Sequence, residues 1–385
     1  MPGRTPGILL FMNATPQVNA SPPSIPPEVR CAQDYETLAP RFIAGPSLAY
    51  IAGGSGNDAT AAANVAAFAE IAIVPRLLRD VSGGHTRRLI GAQVFEHPLL
   101  LAPVAHQKLV HAEGELASAR AAQVTDSGIV CSTLSSYRLE DIASLAGPRR
   151  WFQLYFQPTR SATLDLLNRA HDAGYGAIVV TLDAAIQVAS LRALRAGFRL
   201  PDDCVAANLQ GYEPAPSPMP AHGGSRIFLG PMRNAPTRRD LDWLIANSRV
   251  PVWVKGVLHP DDARELQQCG VVGLVVSNHG GRSLDGAPAS LRALLAVRAA
   301  VGAAYPLLLD GGIRSGSDAF KALALGADAV LVGRLQLYAL AAAGAFGVAH
   351  LLRLLREELE VCMAMTGCAT LDAIDGSVLM PSPRC

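Results

Sequence analysis

Eight short apolar runs, each followed by a stretch with a helical pattern, constrain the fold of this chain more than any other feature. The runs cover residues 98–105, 129–133, 151–156, 177–183, 250–256, 273–279, 306–312 and 329–334. Continuous apolar strands that alternate with helices indicate a parallel sheet buried on both faces. Eight such units favour an α/β fold of the closed (β/α)8 TIM-barrel type. A doubly wound open sheet is the alternative, but the Gly-x-Gly-x-x-Gly turn expected after its first strand is missing.

The rest of the chain divides around this predicted barrel, which spans residues 98–375. Residues 1–30 contain seven prolines and are expected to form a flexible arm, residues 31–97 a helical segment packed on the barrel, and residues 376–385 a tail. The fourth and fifth strands are separated by far more sequence than the others. We therefore expect a lid loop over residues 202–238 at the C-terminal face, where barrel active sites form.

The balance of charge argues against partners that need a strong electrostatic field. Lys and Arg number 33 against 32 Asp and Glu, so we predict neither nucleic-acid binding nor attachment to an anionic membrane. The seven cysteines include no Cys-x-x-Cys pair, which predicts no metal site and no disulfides and favours a reducing cytoplasm. No apolar stretch is long and unbroken enough for a membrane span, and residues 335–349 are predicted to form a buried helix.

Polar residues stand where the predicted strands end. They are Ser132, Thr133, Gln153, Tyr155, Thr181, Asp183, Lys255, Ser277, His279, Asp310 and Arg334. Because a barrel interior is apolar, a ring of polar groups at the C-terminal ends of its strands is placed to face a ligand. Any one of the Ser or Thr residues could instead cap a helix or close a loop, but the whole set predicts a binding site.

Residues 277–282, Ser-Asn-His-Gly-Gly-Arg, combine an imidazole and a guanidinium on a glycine-rich loop. Histidine can take a proton near neutral pH, and arginine can hold a carboxylate through two parallel hydrogen bonds. Asp183, at the end of another strand, could orient the ring. A lone histidine is more often structural, but this combination predicts that His279 is a general base.

Glycines and arginines follow the seventh and eighth strands, at residues 310–316 and 333–334. Exposed backbone amides, a helix N-terminus and two arginines predict a phosphate site, and in barrels such sites commonly follow these two strands. A glycine-rich turn with solvated arginines is the alternative. Lys255 ends an apolar strand and needs an anionic partner, for which a carboxylate such as Asp183 is one candidate.

Five ordered motifs make the chain resemble the FMN-dependent α-hydroxy acid oxidases and dehydrogenases, such as glycolate oxidase, lactate oxidase and the hydroxymandelate enzymes. The motifs are residues 151–155, 254–256, 277–286, 310–314 and 320–327. The resemblance runs from about Tyr35 to Ile374 and implies FMN as the cofactor. It also implies roles for individual residues of the cofactor and substrate sites.

The cofactor would be held by three groups of residues. The resemblance places the backbone of Pro103, Val104 and Ala105 against the flavin, and gives the ring the polar partners Ser132, Gln153, Thr181, Lys255 and Ser277. It assigns the phosphate to Asp310, Gly311, Gly312, Arg314, Gly333 and Arg334. Lys255 would then stabilise the negative charge of the reduced flavin.

The same resemblance assigns the substrate site. His279 would be the base, Asp183 its partner, Tyr155 the partner of the substrate hydroxyl, and Arg282 and Tyr50 the anchors of the carboxylate. The sequence leaves open whether His279 takes the hydroxyl proton, with hydride transfer, or the α-proton, with a carbanion.

The chain departs from the family pattern at two positions of the substrate pocket. Ser190 stands where family members have an arginine that reaches the substrate site. Arg192 or Arg195 could replace that arginine, but helical geometry points their side chains in other directions. Leu134 stands where glycolate oxidase has a tryptophan. We expect a substrate bulkier or less polar than glycolate, or weakened turnover.

The leading hypothesis is a cytoplasmic, homotetrameric oxidase that converts a 2-hydroxy acid to a 2-oxo acid and passes the electrons to O2, yielding H2O2. The complete set of site residues in a chain with no haem domain favours it. A dehydrogenase that uses quinone or a protein acceptor is the first alternative, although the Pro-rich lid shows little of the apolar pattern that a membrane acceptor would favour. An FMN-binding protein with weak catalysis is the second.

Overall fold

The computed structural model describes residues 24–186, 188–213 and 224–381. Most of the predicted arm (residues 1–30) and the middle of the predicted lid loop (residues 202–238) lie outside the described residues.

Eight parallel strands close into a barrel, which confirms the predicted fold. Each strand falls within or overlaps one of the eight apolar runs. The barrel strands are β1 (Leu99–Leu101), β2 (Gly128–Ser132), β3 (Arg150–Leu154), β4 (Ile178–Thr181), β5 (Val252–Val257), β6 (Gly273–Val276), β7 (Leu307–Asp310) and β8 (Ala329–Val332). Every strand pairs with its neighbours in sequence, and β8 pairs with β1 to close the ring.

The barrel interior changes from apolar to polar along the strands. Trp151 on β3 and Trp253 on β5 belong to a buried cluster, and their rings lie 4.9 Å apart. Because side chains alternate along a strand, the residues two positions further on share the same inward face. These are Gln153 and Lys255, both buried. The period of two therefore puts apolar side chains in the lower barrel and polar ones at its C-terminal end.

Twelve α-helices are described. They are α1 (Asp34–Leu38), α2 (Gly45–Ala52), α3 (Ala59–Ala69), α4 (Gly114–Val124), α5 (Leu139–Leu145), α6 (Arg160–Asp172), α7 (Leu191–Arg195), α8 (Arg238–Asn247), α9 (Pro260–Gln268), α10 (Ser290–Val301), α11 (Gly316–Ala324) and α12 (Arg334–Thr366). Helices α1 to α3 precede the barrel and contribute Tyr35, Ile51 and Phe68 to the main hydrophobic core.

Two short antiparallel pairs lie outside the barrel. Arg88–Ile90 pairs with Gln93–Phe95. Phe95 packs edge-on against Trp151 and belongs to the same buried cluster as the two tryptophans. Ile71–Ile73 pairs with Leu379–Pro381, so the segment before the barrel and the segment after it are joined in one sheet.

Helix α12 is long and apolar enough to cross a membrane by length and composition, but 67% of its most apolar stretch is buried inside the protein. It is kinked at Ala343 and Gly344, where the backbone leaves helical angles. Leu335, Leu340 and Val348 join the main core. The prediction of a buried helix over residues 335–349 is confirmed.

The described part of the lid differs from its predicted character. Ile227, Phe228 and Leu229 are exposed, with 74% of Phe228 accessible to solvent. The expectation that this loop shows little apolar pattern was wrong for its described part, because an exposed apolar run follows the prolines.

Candidate active site

A cavity of about 270 Å³ opens at the C-terminal end of the barrel. Its lining includes eighteen of the residues predicted for cofactor, substrate or catalysis. These are Tyr50, Pro103, Val104, Ala105, Ser132, Leu134, Gln153, Tyr155, Thr181, Lys255, His279, Arg282, Asp310, Gly311, Gly312, Arg314, Gly333 and Arg334. Three predicted residues do not line this cavity. They are Asp183, which contacts His279, Ser190, which borders a second cavity, and Ser277, which contacts Lys255.

His279 follows β6 and faces the cavity with its backbone in the left-handed region, at a φ of 59°. Its Nδ1 lies 2.9 Å from Oδ1 of Asp183. Because a carboxylate only accepts hydrogen bonds, Nδ1 carries the proton and Nε2 is free to accept one. The Tyr155 hydroxyl lies 3.5 Å from this Nε2. The structure therefore brings together the three predicted catalytic residues.

Asp183 stays ionised although it is buried. Burial alone would raise the pKa of its carboxyl, but the hydrogen bond from His279 and the charge of Lys255 outweigh it and hold that pKa below its usual range. Ser283 donates to the second carboxylate oxygen at 3.1 Å. A Cβ at Gly256 would lie 2.5 Å from the Asp183 side chain, so the glycine leaves room for the carboxylate. Sequence reasoning missed Ser283, although it lies within the motif at residues 277–286.

Arg282 and Tyr50 lie together, as predicted for carboxylate anchors. The guanidinium stands 4.7 Å from the centre of the Tyr50 ring and donates to the carbonyls of Tyr50 and Gly53 at 2.8 and 3.0 Å. Phe198 stacks on the same ring with centroids 4.2 Å apart and planes 11° apart. Burial raises the pKa of Tyr155 to about 12, so its hydroxyl stays protonated and can donate to a ligand.

Ser190 lies away from the main cavity. Its hydroxyl caps α7 by accepting from the amide of Ala193 at 3.3 Å, and it borders a second cavity of about 230 Å³. Tyr50 and Arg282 separate the two cavities, because they line both. Neither nearby arginine fills the place of the family residue, since Arg192 pairs with Asp58 and Arg195 is exposed.

Lys255 is buried between two partners. Its ammonium lies 2.9 Å from Oδ2 of Asp310 and donates to the Ser277 hydroxyl at 2.9 Å. Burial would lower the pKa of Lys255, but the charges of Asp310 and Asp183 raise it, so the lysine remains charged. Asp310, and not Asp183, is the direct partner. Ser277 accepts this hydrogen bond and does not line the cavity, and its predicted contact with the flavin ring stays a prediction.

The loop after β7 turns on two glycines. Gly311 and Gly312 have φ values of 94° and 92°, and a Cβ at Gly312 would lie 2.2 Å from the carbonyl oxygen of Asn64. Only glycine fits this close approach. A capping box between Ser315 and Asp318 occupies the amides at the start of α11.

The two arginines of the predicted phosphate site already have partners. Arg314 binds both carboxylate oxygens of Glu36, a residue that sequence reasoning missed. Arg334 donates to the carbonyls of Ile51, Gly53 and Gly280, and burial lowers its pKa to about 10. Helix α12 begins at Arg334 after Gly333, which offers no side-chain cap, so this helix N-terminus is open to an anion.

Four residues that line the cavity carry buried polar atoms that the described part of the protein does not satisfy. Gln153 Nε2, Thr181 Oγ1, Asp310 Oδ1 and His106 Nδ1 are buried without a hydrogen-bond partner among the described residues. All four residues line the cavity. Because buried polar groups are normally paired, a bound molecule with complementary donors and acceptors fits this site. His106 was missed because no sequence motif contains it. Its distinguishing feature is a left-handed backbone, with a φ of 54°, which only the structure reveals.

A family model described as FMN-dependent dehydrogenase matches residues 39–381. The chain belongs to this family, the FMN-dependent α-hydroxy acid oxidases and dehydrogenases. Its cofactor is FMN, and it is an oxidoreductase of 2-hydroxy acids, which confirms the predicted resemblance, enzyme class and cofactor.

Known members of the family align with nearly the whole chain. The L-lactate oxidase of Alicycliphilus denitrificans is 66% identical over 359 residues, which cover 93% of this chain and 98% of that protein. The 4-hydroxymandelate oxidase of Amycolatopsis orientalis is 44% identical over 345 residues, covering 88% and 95%. A mandelate oxidase structure with (S)-2-phenylpropionate superposes with a TM-score of 0.81 at 42% identity, covering 89% and 96%.

Proposed function

We propose that this enzyme oxidises L-lactate to pyruvate and passes the electrons to O2, producing H2O2. The observation that carries the proposal is the His279–Asp183 pair at 2.9 Å, whose free imidazole nitrogen faces a cavity that also contains a carboxylate-binding guanidinium. The high identity to an L-lactate oxidase supports the choice of substrate and acceptor. Lactate is one methyl group larger than glycolate, in keeping with the expected bulkier substrate.

The unpartnered atoms of the cavity suggest how FMN is held. Gln153 and Thr181, with the charged Lys255, would meet the polar edge of the flavin ring, and the backbone of residues 103–105 would form its wall. A carboxylate repels a phosphate, so the free oxygen of Asp310 suits a hydroxyl of the ribityl chain better than the phosphate first assigned to it. The open N-terminus of α12 and Arg334 suit the phosphate.

The proposed mechanism follows from the charges of the site residues. Bound FMN supplies a two-electron acceptor. Arg282 and Tyr50 hold the substrate carboxylate, and the Tyr155 hydroxyl binds the substrate oxygen. His279 accepts a proton at Nε2, and the ionised Asp183 stabilises the imidazolium that results. Both hydride transfer and α-proton removal use these residues in the same positions.

Peroxide release under air tests the proposal. We expect L-lactate to yield stoichiometric H2O2 and to bleach the flavin under anaerobic conditions, with D-lactate, glycolate and mandelate as comparison substrates. A flavin that L-lactate bleaches but air does not reoxidise would exclude the oxidase. Retained FMN that no 2-hydroxy acid bleaches would support the binding protein with weak catalysis.

The exposed Ile227, Phe228 and Leu229 of the lid favour a second candidate, a dehydrogenase with a quinone or protein acceptor. Comparing reoxidation of the lactate-reduced enzyme by air and by a soluble quinone separates the two candidates. Faster turnover with quinone than with air-saturated buffer would favour the dehydrogenase.

We also propose a homotetramer in a reducing cytoplasm. The tetramer is supported by the family resemblance alone, and light scattering of the purified holoenzyme tests it. The compartment is supported by the cysteines, since those of the described residues are unpaired.

A further inference from the structure

A pair of buried side-chain amides connects the segment before the barrel to the catalytic loop. Asn64 lies on α3, and Asn278 immediately precedes His279. Asn64 Nδ2 donates to Asn278 Oδ1 and Asn278 Nδ2 donates to Asn64 Oδ1, both at 2.8 Å. Both residues are almost completely buried, with exposures of 2% and 1%. Water therefore offers no replacement for either hydrogen bond.

Backbone groups around the pair determine which way each amide faces. The amide of Gly281 donates to Asn278 Oδ1 at 2.9 Å, and Asn278 Nδ2 donates to the carbonyl of Pro288 at 3.0 Å. The amide of Ser290 donates to Asn64 Oδ1 at 3.0 Å. Turning either amide would place donor against donor or acceptor against acceptor. Asn64 must therefore present its NH2 group to Asn278 Oδ1.

The catalytic loop has a backbone conformation that needs such support. His279, Gly280 and Gly281 have consecutive φ values of 59°, 64° and 79°. Glycine adopts this region freely, but His279 carries a Cβ and disfavours it, so the conformation persists only where the surroundings hold it. The hydrogen bond from the Gly281 amide to Asn278 Oδ1 closes this turn, and Asn64 fixes the orientation of that oxygen.

We propose that Asn64 is a positioning residue for His279. It acts through Asn278, and it keeps the imidazole in line with both Asp183 and the cavity. The inference rests on the proposed role of His279 as the base. The carbonyl of Asn64 also lies close to Gly312 in the loop after β7. The competing explanation is therefore that Asn64 supports only this cofactor loop. In that case a substitution would weaken FMN binding and leave the position of His279 unchanged.

The tests are Asn64→Asp and Asn64→Ala, measured side by side. Asn64→Asp preserves volume and replaces the NH2 group by a carboxyl oxygen, whereas Asn64→Ala removes the donor and adds neither a charge nor a new O–H group. The new oxygen faces Asn278 Oδ1, and Asn278 cannot turn without opposing Gly281 and Pro288. We expect the rate of flavin reduction by L-lactate to fall by about ten- to a hundredfold, as for a catalytic group displaced by a fraction of an ångström. KM and the Kd for FMN are expected to change by less than about threefold, within the scatter of a distant substitution.

A measurement without substrate separates this inference from the proposed function. In the wild-type holoenzyme, the Nδ1 proton of His279 in its hydrogen bond to Asp183 should give a downfield NMR resonance, assigned by its absence in His279→Ala. We expect this resonance to broaden or vanish in Asn64→Asp. That result holds even if L-lactate is not the substrate.

Ser127→Ala is the matched control for a general loss of stability. Ser127 is buried before β2, at the opposite end of the barrel, where its hydroxyl lies 3.0 Å from His97 Nε2. We expect it to lower Tm and leave flavin reduction unchanged. Asn64→Ala carries the same expectations for flavin reduction and for the NMR resonance, and it decides the test if Asn64→Asp does not fold.

Three results would overturn the proposal. They are a wild-type reduction rate with a retained NMR resonance in Asn64→Asp, a loss confined to FMN affinity, or failure of both Asn64 variants to form a holoenzyme.

Discussion

The charge of Asp183 is the feature whose removal should have the most specific effect on catalysis. In Asp183→Asn the new amide can keep its oxygen on the His279 Nδ1 proton and turn its NH2 group toward the Ser283 hydroxyl, which can accept. The tautomer and the geometry are therefore retained, and only the negative charge is lost. Lys255 keeps its partner Asp310, so the variant creates no unpaired lysine.

The magnitude follows from the short distance and the burial of the pair. Two unit charges about 4 Å apart attract each other by about 4 kcal/mol at an effective dielectric constant near 20. Asp183 has 9% of its side chain exposed and His279 21%, so this intermediate dielectric suits the pair better than that of water. Loss of that stabilisation of the imidazolium corresponds to a roughly thousandfold slower reaction.

Stopped-flow measurement of anaerobic flavin reduction by L-lactate is the assay, because it reports the chemical step without reoxidation. Ser283→Ala is the matched control, since it removes the 3.1 Å hydrogen bond and keeps the charge. We expect a loss of no more than about ten- to a hundredfold in that control, since one hydrogen bond to a charged group contributes about 1.5–3 kcal/mol. A loss below tenfold in Asp183→Asn, or equal losses in the two variants, would refute the electrostatic reasoning.

Further substitutions test other parts of the site. We expect Ser190→Arg to lower KM for L-lactate about tenfold, as one added charge-assisted hydrogen bond would. The second cavity offers space for the new side chain beside Arg282. An unchanged KM in steady-state assays would contradict this expectation. Gly312→Ala should weaken FMN binding, measured by fluorescence titration, since its Cβ would lie 2.2 Å from the Asn64 carbonyl; unaltered affinity would show that the loop can move. Lys255→Met should destabilise the fold by about 3–5 kcal/mol in denaturant titrations because Asp310 loses its buried partner, and adding Asp310→Asn should restore part of that loss.

The barrel was predictable because its signal is local. Each strand is a run of apolar residues, and its side chains alternate between the two faces with a period of two. The last inward-facing residue of a strand therefore lies at the mouth of the barrel. On this basis the sequence alone assigns Gln153, Thr181 and Lys255 to one cavity. The catalytic pair His279–Asp183 follows from the same logic, because the ends of parallel strands meet at one rim of the barrel.

The contacts that sequence reasoning missed join residues far apart in the chain. Asn64 meets the catalytic loop across 214 residues, and Glu36 meets Arg314 across 278. No periodicity connects such pairs, because α1 and α3 reach the barrel mouth only through tertiary packing. The sequence left the partner of Lys255 open for a similar reason, since choosing between the carboxylates of Asp183 and Asp310 requires the distances themselves.

The pairing of Ile71–Ile73 with Leu379–Pro381 has a consequence for how the chain is made. During synthesis the helices before the barrel emerge first, yet this sheet cannot form until residues 379–381 have left the ribosome. Helix α3, which positions the catalytic loop through Asn64, ends two residues before that strand. The nascent chain should therefore carry a complete set of active-site residues before it acquires activity, because the sheet beside α3 forms only once residues 379–381 are available.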